Sequence, residues 1–183
     1  MPNEIYSKAQ TAIVIADTTD YAGDIGTRTD QILLAALADG ASRQSDKVDL
    51  AISGAYLAAR YDVYAAIEFD VAPADLKWMD FYVGFSPSAV AATANPGGCS
   101  GADAAYTGSA GSTMDESLKQ LLHLGSLSCT NDAATVVQFQ YIGSFVAAER
   151  YACFVVDNNS GQALEGDDVE MGIRIVPYTY EVQ

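Results

Sequence analysis

The clearest pattern in the chain is an eleven-residue alternation of apolar and polar side chains over residues 61–71. The odd positions are apolar, while the even positions include the carboxylates of Asp62, Glu68 and Asp70. Successive side chains of a β-strand point to opposite faces, so a period of two predicts a strand with one buried face. We expect the other, acidic face to meet water or a partner.

The same alternation recurs and predicts further short strands. A continuous apolar run at 152–156 is typical of a strand buried on both faces. Val137, Phe139, Tyr141 and Phe145 alternate with glutamine and serine, which predicts that these four side chains share one face. The predicted strands cover residues 12–16, 48–52, 61–71, 79–85, 119–129, 137–145, 152–156 and 169–175.

Three segments leave alternatives open. Residues 31–38 fit either a strand or a helix, because a short apolar run does not distinguish them. Leu118, Leu121 and Leu122 have helical spacing, although a strand over 119–129 is favoured. At Pro177 the alternation changes phase, which a bulge, a change of sheet or a tail that pairs elsewhere would explain.

Many short strands and hardly any helix indicate an all-β protein. The pattern predicts an antiparallel β-sandwich of eight to ten strands, with a jelly roll as the leading topology. The predicted organisation is an N-terminal arm of weak structure over residues 1–11, one sandwich domain over 12–176, and a C-terminal tail over 177–183. Between the strands, residues 86–113 form a long glycine-rich loop of the kind that is usually functional or ordered by a partner.

Composition restricts the classes of function. The chain has 183 residues, of which 50% are hydrophobic, and its formal net charge is -15. This charge repels phosphate backbones, so we expect no nucleic-acid partner. Residues 1–10 lack the apolar core of a secretory signal, and no apolar run is long enough to span a membrane. We therefore expect a protein made in the cytoplasm that has no membrane partner.

The three cysteines predict neither a disulfide framework nor a zinc site, because they are odd in number and widely spaced. Cys129 and Cys153 lie in apolar runs and are expected in the core. Cys99 follows two glycines and is expected to be an exposed loop thiol.

No catalytic constellation is visible in the sequence. His123 is the only histidine, and it lacks a neighbouring nucleophile and orienting carboxylate, so we expect a surface histidine, no enzyme activity and no cofactor. Asp17, Asp20 and Asp24 share one loop and are weak calcium candidates. A second acidic loop spans 165–170. Solvated loop charge is the favoured interpretation of both.

Tyrosines are the side chains best suited to contact a partner. The pairs Tyr64/Tyr82 and Tyr178/Tyr180 are either exposed rings, which serve as sugar-stacking platforms or interface anchors, or rings that pack on the sheets. Packing is favoured.

Several stretches between residues 39 and 176 resemble a family of small virion proteins of tailed bacteriophages. The similarity lies in their order and character, since none of them is a chemical motif. The stretches are Ala41–Leu50, Phe81–Val83, Ser86–Ser88, Asn95–Gly98, Gly101–Gly108, Ser117–Leu121, Glu149–Tyr151 and Asp167–Glu170.

The resemblance implies a non-enzymatic structural role at the capsid exterior, as a decoration or cement protein. The implied partners are the major capsid protein and further copies of the chain, possibly as a homotrimer. Alternatives are a tail, neck or fibre component, or a carbohydrate-binding β-sandwich module. The arms and the matching stretches together supply the candidate contact residues, which are Ile5, Tyr6, Arg43, Lys47, Tyr178 and Tyr180.

Overall fold

The computed structural model describes residues 4–54, 56–134 and 136–182. Within these ranges the chain forms twelve β-strands and one short helix, which confirms the predicted all-β class. The helix, α1, covers Met114–Leu118. The strands are β1 (Ile5–Ala9), β2 (Ile13–Ala16), β3 (Asp30–Gln31), β4 (Ser42–Gln44), β5 (Val48–Asp49), β6 (Arg60–Ile67), β7 (Trp78–Ser86), β8 (Ala104–Ala105), β9 (Leu122–Ser128), β10 (Gln138–Phe145), β11 (Tyr151–Asn159) and β12 (Gly172–Val182).

The strands form two sheets that pack as a sandwich. Sheet A has the order β10-β6-β12-β2-β3, and β1 joins it by pairing with β12. Sheet B has the order β8-β4-β11-β7-β9, and β5 pairs with β11. Apart from the short strands, the chain passes between the sheets from β2 to β4, β6 and β7, and then from β9 to β10, β11 and β12. This strand order is that of a jelly roll.

The core lies between the two sheets and contains the apolar positions of the alternating strands. Phe81 and Phe154 from sheet B and Ile67 from sheet A are each at most 1% exposed. The buried hydroxyl of Tyr61 donates to the Leu50 carbonyl at 2.7 Å and accepts from the amide of Ala58 at 2.8 Å. The polar end of this core tyrosine is therefore satisfied inside the protein.

The strand over residues 61–71 is shorter and less open than predicted. Strand β6 ends at Ile67, and Phe69 makes only an isolated bridge to Leu164. The expectation of an acidic face open to water was wrong for Asp62 and Glu68, which are 9% and 6% exposed. Burial, with the nearby carboxylates of residues 165–170, raises the pKa of Glu68.

Strand β10 departs from the predicted alternation because it contains a bulge. The register of β10 on β6 shifts between Tyr141 and Gly143. Ile142 and Phe145 enter the core, whereas Phe139 and Tyr141 point outward and are 52% and 53% exposed. An extra residue on one strand reverses the side-chain phase beyond it, so the four aromatic and aliphatic residues cannot share one face.

The bulge lies where sheet A meets sheet B at one edge of the sandwich. A Cβ added to Gly143 would approach the carbonyl oxygen of Leu124 to 2.3 Å, and one added to Gly125 would approach that of Ile142 to 2.2 Å. Two glycines therefore allow β9 and β10 to pass backbone against backbone.

The segments with open alternatives resolve into short elements. Only Asp30–Gln31 and Val48–Asp49 are strands in their regions, and the chain turns after each. The favoured strand over 119–129 shortens to β9, and α1 precedes it. Thr113 and Glu116 cap this helix reciprocally, which is a capping box.

Candidate functional site

The two ends of the chain pair with each other instead of forming a loose arm and tail. Strand β1 pairs antiparallel with the last residues of β12, from Ile5 opposite Val182 to Ala9 opposite Tyr178. Strand β6 ends at Arg60 opposite Tyr178, so β12 beyond this point has β1 as its one described neighbour. We call β1 and residues 178–182 the terminal ribbon. Residues 1–3 and 183 of the predicted arm and tail lie outside the described residues.

The terminal ribbon has one apolar and one polar face. Residues directly opposite in an antiparallel pair share a face. Ile5 with Val182 and Ser7 with Tyr180 form the apolar face, whereas the ammonium of Lys8 lies 2.7 Å from the Glu181 carboxylate on the polar face.

Most side chains of the ribbon are open to solvent. All five residues of β1 are exposed, with Ile5 at 69% and Tyr6 at 45%. Tyr180 is 68% exposed, while Tyr178 is half-buried. No described strand pairs with the outer edge of β1. The ribbon thus combines free backbone groups with exposed apolar side chains.

The apolar face of the ribbon continues onto the outer face of sheet A, where aromatic rings collect. The rings of Tyr64 and Phe139 stack with centroids 5.7 Å apart and planes at 7°. Tyr141 meets Tyr64 edge to face at 5.4 Å. The guanidinium of Arg60 lies 4.9 Å from the centre of the Tyr178 ring. We call this surface, defined by Tyr64, Phe139, Tyr141 and Tyr178, the aromatic face.

Two hollows flank the Phe139 ring. One has a volume of about 370 Å³ and is lined by the carboxylates of Asp24 and Glu170, together with Arg174. The other, of about 320 Å³, lies against Tyr64 and Tyr178. Arg174 lines both, and its guanidinium donates to the carbonyl of Ile25 at 3.3 Å. The ring therefore stands as a ridge between two shallow depressions.

A third hollow lies at the base of the terminal ribbon. It has a volume of about 380 Å³, and Gln10, Asp30, Asp49 and Pro177 are among its lining residues. Burial raises the pKa of Asp30 to about 6, with contributions from nearby carboxylates. Asp49 forms an ion pair with Arg150 at 2.6 Å.

The outer face of sheet B is covered by the chain itself. Residues 87–121, which we call the cover segment, place Tyr106, Leu118 and Leu121 over Cys153 and Val155 of β11. The Tyr106 hydroxyl donates to the carbonyl of Gly97 within the segment. The glycine-rich loop is therefore ordered by its own sheet.

Arg43 and Lys47 hold the cover segment in place. Arg43 forms a bidentate ion pair with Asp103, with both contacts at 2.7 Å. The ammonium of Lys47 donates to the carbonyls of Val90 and Thr93 at 2.7 and 2.8 Å. The structure thus engages these two candidate residues within the chain.

A polar cluster surrounds Asp80 at the uncovered end of sheet B. Its carboxylate accepts from Ser126 and from the indole of Trp78, and it lies 3.2 Å from Nε2 of His123. The serine and the histidine both contact the aspartate and not each other, so the arrangement lacks the nucleophile–base contact of a hydrolytic triad. The ring of His123 lies 5.0 Å from that of Tyr82, and burial raises the pKa of Tyr82 to about 12.

Cys99 is buried, so the expected exposed loop thiol was wrong. The side chain is 7% exposed and belongs to the cluster beneath the cover segment, beside Cys153. Contact with the Cys153 thiol and burial both raise the pKa of Cys99. Burial raises the pKa of Cys129, the third core thiol, to about 11.

The acidic loops do not assemble into a metal centre in the part of the chain that the structure describes. There, no three His, Cys, Asp or Glu side chains lie close enough to hold an ion. Asp17 accepts hydrogen bonds from the amides of Thr19 and Asp20, which makes it a loop-stabilising residue. Asp20 and Asp24 are exposed.

Comparison with known proteins gives no relative for this chain. No family model, no curated protein and no solved structure matches it. Across the described ranges, no helix has the length and apolar character needed to cross a membrane.

The sequence analysis missed Phe139 and Tyr141 as surface residues. Their alternation with glutamines looked like that of a core strand. The signal that could have found them is Gly143, because a glycine inside a strand pattern marks a bulge or a close backbone approach.

Proposed function

We propose that the chain is a non-enzymatic structural protein of a tailed-phage virion. It decorates the capsid exterior and stabilises contacts between major capsid subunits. The sequence resemblance suggests this setting, and the terminal ribbon is the single structural observation that carries the docking mechanism.

The ribbon is suited to joining a neighbouring protein by strand addition. Its free edge offers backbone donors and acceptors, and an extended segment of a partner could pair with them. The exposed side chains of Ile5, Tyr180 and Val182 would fill apolar pockets on that partner. Because both chain ends contribute to the ribbon, a pull on it is shared between β1 and the long strand β12.

The remainder of the molecule suits a rigid cement. The sandwich has a continuous core between its sheets, and the cover segment is tied to sheet B by ion pairs and hydrogen bonds. The net charge of -15 opposes binding to packaged DNA.

Imaging of native particles from the encoding phage tests the location. We expect density for this sandwich at regular positions on the capsid exterior. Density on the tail, neck or fibres would instead support the alternative virion role, and absence from all particles would reject a virion function.

Re-addition of purified protein to particles that lack it tests the ribbon. The variant Ile5→Ser with Tyr180→Ser should lower occupancy at least about tenfold, because interface anchors carry most of the binding energy. The matched control is Val146→Ser with Tyr56→Ser, whose side chains are similarly exposed at 69% and 76%. Equal occupancy of the two double variants would contradict docking through the ribbon.

A carbohydrate-binding role is the second candidate, and the exposed rings of the aromatic face favour it. Aromatic platforms on β-sandwiches can stack against sugar rings. Binding on a glycan array that is lost in Phe139→Leu would support this role.

A further inference from the structure

We propose that the aromatic face is a docking surface for a protein segment rich in arginine or lysine, whose cationic groups lie over the rings of Phe139 and Tyr141. This inference rests on the proposed function in one respect, namely that the segment would belong to the shell to which the chain binds.

The first observation is that these rings are exposed without a covering element. Phe139 and Tyr141 are 52% and 53% exposed, and they flank Tyr64 on neighbouring strands of sheet A. The bulge in β10 turns both rings outward. A contiguous group of exposed aromatic side chains is typical of a contact surface.

The second observation is that the same face already accommodates a cation over a ring. The guanidinium of Arg60 lies 4.9 Å from the Tyr178 ring centre, and it also pairs with Asp62 at 2.9 Å. A cation stacks favourably on an aromatic face, and a carboxylate beside it fixes its position. In the described ranges, no cation of this chain takes the corresponding place over Phe139 or Tyr141, since the cation–π contacts there involve Tyr178 and Tyr151.

The third observation is the charge around the rings. The hollow beside Phe139 carries the carboxylates of Asp24 and Glu170 against the single guanidinium of Arg174. Over longer range, the net charge of -15 attracts a basic partner and repels both an acidic partner and a second copy of the chain. Ring quadrupoles, local carboxylates and overall charge thus all favour a cationic occupant.

Titration with a short amidated peptide of alternating arginine and glycine tests the inference. The comparison peptide has glutamine in place of arginine. Fluorescence anisotropy of labelled peptides at physiological salt gives the affinities, and NMR chemical shifts give the location. We expect the arginine peptide to bind more tightly and to perturb the signals of Tyr64, Phe139 and Tyr141.

Variants that keep the charge separate a specific surface from general attraction. Phe139→Leu with Tyr141→Leu should weaken peptide binding by roughly tenfold, or two- to fivefold for each ring. The control, Trp78→Leu with Tyr56→Leu, removes exposed rings elsewhere and should change affinity by less than about twofold. Equal losses in both double variants, or binding of neutral oligosaccharides in place of the peptide, would overturn the proposal. Thermal melting checks that all variants are folded.

The two proposals can fail separately. Ring-dependent peptide binding by a chain that never occurs on particles would leave the surface standing and reject the virion function. Decorated particles with peptide binding that ignores the rings would reject the surface and leave the virion function standing.

Discussion

The outer faces of the two sheets differ in what lies over them. On sheet B, the cover segment buries Cys153 and Val155 beneath Tyr106 and two leucines. On sheet A, the rings of Phe139 and Tyr141 have no such cover and are about half exposed. Both faces are built by the same strand geometry, which places alternate side chains on the side away from the core.

The difference shows how one fold can treat equivalent surfaces in opposite ways. Sheet B has become a second core, held by the Arg43–Asp103 ion pair and by Lys47. Sheet A retains a surface of aromatic rings that continues into the terminal ribbon. Stability should therefore depend strongly on the covered face and weakly on the open one, whereas binding should show the reverse.

The largest effect is expected from two tyrosines on opposite faces. Tyr106→Ala should lower the free energy of unfolding by about 3–5 kcal/mol, because it leaves a cavity under the cover segment. Tyr141→Ala should cost less than about 1 kcal/mol, because the ring is half exposed. Urea denaturation of both variants measures the difference. Equal destabilisation would show that the cover segment adds little to the stability of sheet B.

The next effect concerns one arginine on each face. Arg43→Gln should destabilise by about 3 kcal/mol, because it leaves the Asp103 carboxylate, whose side chain is 10% exposed, without its guanidinium. Arg60→Gln should cost about 0.5 kcal/mol, since the Arg60 side chain is 50% exposed. Hydrogen exchange in residues 87–121 should rise in the Arg43 variant alone. A similar rise in both variants would contradict a special role for Arg43.

A smaller effect is expected from a buried carboxyl that provides a reference outside the comparison of the two faces. Asp168 is 1% exposed, and one carboxylate oxygen accepts from the amide of Leu34 at 2.8 Å. Burial, aided by the negative charge of Asp17, raises the pKa of Asp168 to about 7. Between about pH 4 and pH 7, the folded state retains a proton that the unfolded state has released, so stability should fall as pH rises.

Asp168→Asn should remove this dependence and gain on the order of 2 kcal/mol at pH 8 relative to its effect at pH 4. Chemical denaturation across this pH range measures the change. The control is Asp70→Asn, which alters an exposed carboxylate and should leave the slope unchanged. An unchanged slope in the Asp168 variant would mean that other buried carboxylates, such as Asp30, dominate the pH dependence.

Much of the fold could be predicted because it depends on local periodicity. The alternation over residues 79–85 and the apolar run at 152–156 correspond to β7 and β11, and the sandwich follows from the number of such strands. The burial of Cys99 could not be predicted, because it depends on how the glycine-rich segment lies on sheet B. The exposure of Phe139 could not be predicted from periodicity either, because the bulge near Gly143 reverses the phase within one strand.

The candidate surface was only partly visible in the sequence. Tyr178 and Tyr180 were identified as possible contact residues, and Tyr64 as a possible exposed ring. Their union into one face required the pairing of β6 with β10 and of β1 with β12, which joins residues far apart in the chain. Tyr82, grouped with Tyr64 by pattern, is instead half-buried beside the cover segment.

The sequence by itself determined the all-β class, the positions of the main strands and the strongly acidic charge, because these depend on side-chain period and composition. The tertiary structure decided which outer face is covered, that the predicted arm and tail form one ribbon, and that Asp62 and Glu68 are buried. A period of two specifies that a strand has two faces, but what each face meets depends on long-range contacts that no local pattern encodes.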